Sequence, residues 1–189
     1  MSPVRAVLLV LALMVALVPG PAVAVEVPRP PADGEVARVV HITDGDTIRV
    51  RLADGSEERV RYIGIDTPEI GHEAGQADEP WGREATDANR RLVEGGDVLL
   101  ERDVSDTDQY DRLLRYVWVE GESGWLMVNG ELVTRGLAEV RAYEPDTRNH
   151  DWFRQLQDEA REAGRGMFGD QPQEGGSLLD DLLDFLFGG

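Results

Sequence analysis

Apolar and polar positions alternate with a period of two over much of the first half of the chain. Val36 to Ile42 is an apolar, β-branched run. Thr43-Asp44-Gly45-Asp46 interrupts it, and Thr47 to Leu52 then alternates strictly, with Ile48, Val50 and Leu52 on one side. Ala53-Asp54-Gly55-Ser56 predicts a hairpin turn of Asp-Gly type, and Glu57 to Ile65 a third strand. Three consecutive strands joined by short turns argue for an antiparallel meander. Val98 to Arg102 and Leu113 to Val119 predict two further strands around an acidic loop, Asp103 to Asp111.

The period changes elsewhere. Arg83 to Val93 places Ala85, Ala88 and Leu92 at helical spacing, and Gly95-Gly96 stops it. Gly121 to Gly124 predicts a turn, Leu126 to Thr134 a helix ending at Gly136, and Leu137 to Val140 a short strand. Asn149 to Ala163 is amphipathic, with Phe153, Leu156, Ala160 and Ala163 inward. Ile70 to Trp81 is a polar loop. The fold class expected is α+β: a five-stranded Greek-key β-barrel of OB type with about three helices. A parallel sheet would need a helix between each pair of strands, and the first three strands have none.

The ends have a different character. A basic start, an apolar run from Ala6 to Val18 and Ala22-Val23-Ala24 predict a signal peptide over 1–24, cleaved near Ala24. The run is shorter than the roughly 20 residues a membrane span needs. Residues 25–34 are expected to form a disordered leader, 35–169 the folded domain, and 170–189 an acidic tail. Secretion or release into the cell envelope follows, as a monomer with no stable membrane association. In the tail, Leu178, Leu179, Leu182, Leu183 and Leu186 oppose Asp180, Asp181 and Asp184. A helix over 178–187 would either dock on its own domain or bind a partner; an anionic helix suits a membrane poorly.

Composition complicates the picture. All 19 basic residues are arginine, cysteine is absent, and the net charge is −18. Residues 35–169 alone carry 30 acids against 17 arginines. A polyanion binder is normally basic. Either the acidity is a solvated surface suited to salt, or nucleic acid is not the partner. Local field decides, because charges beyond about 10 Å are screened at moderate salt.

The candidate chemistry gathers around Arg61 to Glu69. Pro68 ends the strand, leaving Asp66 and Glu69 on either side of a stiff break. Asp46, at another strand end, is expected to point toward Asp66. Two carboxylates plus a backbone carbonyl make a hard-oxygen site suited to calcium (Ca2+). Arg61 supplies a forked, permanently charged donor set for a phosphate.

Four segments, in order, resemble the thermonuclease (staphylococcal nuclease-like) family. They are Asp44-Gly45-Asp46-Thr47, Arg61 with Asp66-Thr67-Pro68-Glu69, Thr107 to Arg112, and Met127 to Ala138. The resemblance covers roughly Val36 to Phe168. It implies an OB-type barrel with three helices and a calcium-dependent phosphodiesterase that cuts DNA and RNA to leave 3′-phosphate ends. It implies Asp46 and Asp66 as calcium ligands through carboxylates and Thr67 through its carbonyl. Glu69 would be the general base, Arg61 and Arg112 the phosphate clamp, and Tyr110 and Tyr143 the lining of the nucleotide pocket. Asp111 stands where the family pattern has glycine, and Gln109 near a common lysine. With Asp106 and Asp108 this rim is more acidic than the pattern, so weaker phosphate attraction is expected.

Other motifs carry less. Gly164-Arg165-Gly166-Met167-Phe168-Gly169 fits G-x-G-x-x-G but follows a helix, whereas the dinucleotide motif follows a strand. His41, His72 and His150 are scattered, which argues against zinc. The competing function is a non-catalytic OB-fold module that binds nucleic acid or protein; such modules use basic grooves with stacking aromatics, and aromatics are sparse here.

Overall fold

The structure is a computed structural model that describes residues 26–71, 77–121 and 124–169. The signal peptide expected at 1–24, His72 and the tail expected at 170–189 lie outside the described residues. In chain order the elements are β1 (Glu35–Ile42), β2 (Thr47–Arg51), β3 (Glu57–Tyr62), β4 (Ile65–Asp66), α1 (Gly82–Val93), β5 (Asp97–Glu101), β6 (Leu113–Gly121), β7 (Gly124–Met127), α2 (Val128–Thr134), β8 (Glu139–Val140) and α3 (His150–Glu162). A 3-10 turn at Gly166–Phe168 follows.

Five strands close a barrel in the order β3-β2-β1-β5-β6. Four neighbouring pairs are antiparallel. The closing pair, β3 with β6, is parallel and sets Arg61 opposite Leu114. This is the expected α+β barrel of OB type with three helices. Alternation does what the pattern predicts: Ile48 and Val50 are fully buried, and Leu52 packs at the edge of the same core. Val60, Tyr62, Val98, Leu100 and Val117 fill the interior with them.

The helices plug and flank the barrel. α1 buries Ala85, Ala88 and Val93, with Leu92 partly covered. α2 buries Val128, Leu132 and Val133. α3 buries Phe153 and Ala160 as expected, and Leu156 packs against the core. Ala163 is exposed instead, and Gln157 takes an inward position. A polar residue is tolerated there because its Oε1 accepts the Val140 N–H at 2.9 Å.

Two elements differ from the pattern. The predicted helix over Leu126–Thr134 starts only at Val128, because Gly124–Met127 pairs with the end of β6 as a hairpin arm. The third strand does not run unbroken to Ile65. It ends at Tyr62; Gly64 adopts a left-handed φ of 80°, and Ile65–Asp66 pairs separately with β8. Any side chain at Gly64 would meet Phe153 at 2.8 Å, so this break is wedged between strand and helix. Its consequence is directional. Asp66 stands five positions after Arg61, an odd offset, so an unbroken strand would send them to opposite faces.

Candidate active site

The break turns Asp66 back onto Arg61. Arg61 Nη2 donates to Asp66 Oδ1 at 2.7 Å, while its Nη1 is ion-paired with Asp46 Oδ1. Asp46 comes from the start of β2's turn and its side chain is almost wholly buried. Its other oxygen, Oδ2, accepts the Thr67 N–H at 2.8 Å. Its own N–H donates to Asp44 Oδ1 at 3.0 Å, and its carbonyl accepts the Tyr62 N–H at 2.9 Å. Two strand ends and the break are thus sewn together around one guanidinium. Arg141 adds a second positive charge, 3.6 Å from Asp66 Oδ2 and 2.7 Å from Glu139.

The turn carrying Asp46 is held from α1. Asn89 is fully buried; its Nδ2 donates to the Asp44 carbonyl at 2.9 Å and its Oδ1 accepts the Tyr62 hydroxyl at 2.8 Å. Burial pushes the Tyr62 phenol far above its ordinary value, so it stays protonated as that donor.

Arg112 sits at the edge of the loop before β6. Its Nε and Nη2 both reach Asp108 Oδ2 at 2.7 Å. Asp108 Oδ1 also accepts the N–H groups of Tyr110 and Arg112. Partial burial alone would raise the Asp108 pKa; these hydrogen bonds and the Arg112 charge outweigh it and hold the carboxyl below the usual range. The guanidinium lies 5.5 Å from the Tyr110 ring centroid. Asp111 has φ of 58°, a left-handed conformation for a residue with a side chain.

Arg61, Arg112, Tyr110 and Tyr143 line one cleft of about 380 Å³. Both tyrosines are more than half exposed, and the Tyr110 ring already carries the Arg112 guanidinium on one side. Glu69 does not line this cleft. It stands exposed at the far end of the Asp66–Glu69 segment, with its backbone tied to Glu79. Sequence reading missed Asn89, Arg141 and Glu79. None has a local signal, since each meets the site through partners ten or more positions away in the chain.

Asp46, Asp66 and the Thr67 carbonyl supply hard oxygen donors, which fit the chemistry of Ca2+. No group of three or more His, Cys, Asp or Glu side chains among the described residues forms a dedicated cage.

Fold and site together define a small α+β barrel in which Arg61 and Arg112, each paired with carboxylates, line one cleft with two exposed tyrosines. The sequence comparisons agree. The model of the family described as staphylococcal nuclease homologue matches residues 59–170. The thermonuclease of Staphylococcus hyicus is 34% identical over 137 residues, 72% of this chain and 78% of that protein. The thermonuclease of Staphylococcus intermedius is 37% identical over 128 residues, 68% of this chain and 73% of that protein. Endonuclease YncB of Bacillus subtilis is 42% identical over 120 residues; the match spans 62% of this chain but 54% of that relative. The chain belongs to the staphylococcal nuclease homologue family.

Proposed function

We propose that this protein is a secreted, calcium-dependent nuclease that hydrolyses phosphodiester bonds of DNA and RNA and leaves 3′-phosphate ends. The observation that carries the reading is the meeting of Arg61 and Arg112, from different parts of the barrel, in one cleft beside two exposed tyrosines. Family membership, with relatives named thermonuclease and endonuclease, supports the same substrate class.

Each residue has a physical task. Arg61 and Arg112 bind the non-bridging oxygens of the phosphate, where charge gathers as the nucleophile approaches. Tyr110 and Tyr143 hold the adjoining nucleotide by stacking, worth about 1–3 kcal/mol per base. Glu69 takes a proton from the attacking water, which typically contributes about 10²–10⁴-fold. Asp46, Asp66 and the Thr67 carbonyl would hold the Ca2+. When bound, that cation supplies charge neutralisation at the phosphate. The bond from phosphorus to the 5′-oxygen breaks, and that oxygen takes a proton from solvent.

Residues 35–169 are the catalytic domain in this reading, and the pattern at 1–24 is its export signal. Recovery of a chain beginning at Val25 from culture medium would support export.

The test is digestion of plasmid DNA and of RNA with calcium and then with chelator, followed by end-group analysis. Cutting is expected with calcium only, with 3′-phosphate products. Glu69→Gln is expected to lower kcat by about 10²–10⁴-fold without changing the circular dichroism spectrum. Cutting that survives chelation would remove the metal assignment. Binding without cutting under every salt condition would favour a non-catalytic module.

A further inference from the structure

Glu69 lies in irregular backbone and is exposed. No barrel ladder holds it. Both of its main-chain groups instead go to one residue. The Glu69 N–H donates to Glu79 Oε2 at 3.0 Å, and the Glu69 carbonyl accepts the Glu79 N–H at 2.9 Å. Glu79 is rooted in turn: its carbonyl accepts the Gly82 N–H at 3.0 Å, at the first residue of α1.

The helix start itself touches the base. A Cβ at Gly82 would fall 2.5 Å from the Glu69 carbonyl oxygen, so only glycine lets the two backbones approach this closely. Trp81, between Glu79 and the helix, has φ of 72°, a left-handed conformation that a bulky residue rarely adopts. A second latch lies alongside: the Gly71 N–H donates to Asp78 Oδ1 at 2.8 Å, and Asp78 is ion-paired with Arg83 of α1.

The same helix reaches the other half of the site through Asn89, which holds the Asp44 carbonyl. α1 is therefore a common support. Its middle fixes the turn that carries Asp46, and its start fixes the backbone of Glu69.

We propose that Glu79 is a positioning residue for the general base: it pins the Glu69 main chain to α1 and so sets where the carboxylate stands. The proposal rests on the reading of Glu69 as base. A carboxylate that wanders by about 1 Å from its water can lose roughly 10²-fold in rate. Glu79 touches neither substrate nor metal in this account and acts only through Glu69.

Four full-length variants test it: Glu79→Ala, Glu79→Gln, Glu69→Ala, and Glu69→Ala combined with Glu79→Ala. Glu79→Ala is expected to lower kcat by about 10- to 100-fold with KM within about twofold. Glu79→Gln keeps an acceptor for the Glu69 N–H and is expected to recover most of the loss. In the Glu69→Ala background, removing Glu79 is expected to cost nothing further, since the two act as one unit. Melting and circular dichroism of each variant establish that it is folded. Hydrogen exchange at the main-chain amide of position 69 should accelerate in both Glu79→Ala proteins. A native kcat in Glu79→Ala, with Glu69→Ala impaired, overturns this proposal alone. An equal further loss in the double variant also overturns it. A native kcat in Glu69→Ala overturns the base assignment, and the proposal falls with its premise.

Discussion

The two arginines of the cleft are held in opposite ways. Arg61 is buried to 13% exposure and is gripped by Asp46 and Asp66, residues brought in by two different strand ends. Arg112, at 25% exposure, is gripped by Asp108, four residues earlier in the same loop. The first arrangement needs β2 paired with β3 and the chain broken at Gly64. The second is a local turn that organises itself, with Asp108 accepting two backbone N–H groups as well as the side chain. A phosphate bound between them would thus touch one donor fixed by the core and one fixed by a loop. The core supplies rigidity, and the loop supplies a rim that can be retuned without disturbing the fold.

Removing each arginine sharpens the contrast most. Arg61→Ala is expected to lower kcat by about 10²–10³-fold, the scale for losing one transition-state donor. It should also lower the melting temperature, because Asp46 would keep a buried, poorly compensated charge. Arg112→Ala should slow the reaction in the same direction while leaving melting nearly unchanged. Parallel kinetics and melting curves check this. Equal melting losses would erase the distinction between core-held and loop-held donors.

Asp108 is the next lever. Asp108→Asn weakens the grip on Arg112 and is expected to raise KM about tenfold, a loss of about 1.4 kcal/mol, with little effect on kcat. The same group gives a pH dependence with a definite sign. Its folded pKa lies below its unfolded value. Its stabilising effect is therefore complete above the usual carboxylate pKa of about 3.9 and is lost as pH falls through the lower, folded value. Melting followed from pH 6 down to pH 2 should fall less steeply in Asp108→Asn than in the native chain. Identical slopes would show that Asp108 is not what holds this rim.

The smallest effect belongs to Asp111. Its φ of 58° costs a residue with a side chain about 1 kcal/mol, which glycine does not incur. Asp111→Gly is expected to raise the melting temperature by about 2–4 °C for a chain of this size. It should also lower KM modestly at low salt, since it removes a negative charge beside Arg112, and the KM gain should fade as salt screens it. A gain that persists in molar salt would point to geometry rather than charge.

Much of the architecture was legible in the residues. Alternation at Thr47–Leu52 and helical spacing at Arg83–Val93 and Asn149–Ala163 were enough to outline barrel strands and flanking helices. They succeed because burial on one face leaves its period in the sequence. Leu126 and Met127 read as the start of a helix in the sequence but belong to β7, because so short an arm is too brief to show a period and its pairing edge is supplied by β6. Ala163 was placed inward by the same reasoning that failed to foresee Gln157, whose burial depends on one distant N–H.

The site divides along the same line. The sequence by itself determined which chemical groups are available: two carboxylates beside strand ends, a stiff Pro68 break, two arginines and two tyrosines. Those follow from residue type and local backbone preference. Only the tertiary structure decided that Asp66 turns back to Arg61, since that depends on Gly64 folding under Phe153. Only it decided that α1 supports both Asp44 and Glu79, and that Arg61 and Arg112 share a cleft through the closing pair of β3 and β6. Local preferences act over a few residues, whereas Gly64 against Phe153, Asn89 on Asp44 and Arg61 beside Arg112 join positions tens of residues apart, and no short-range pattern encodes them.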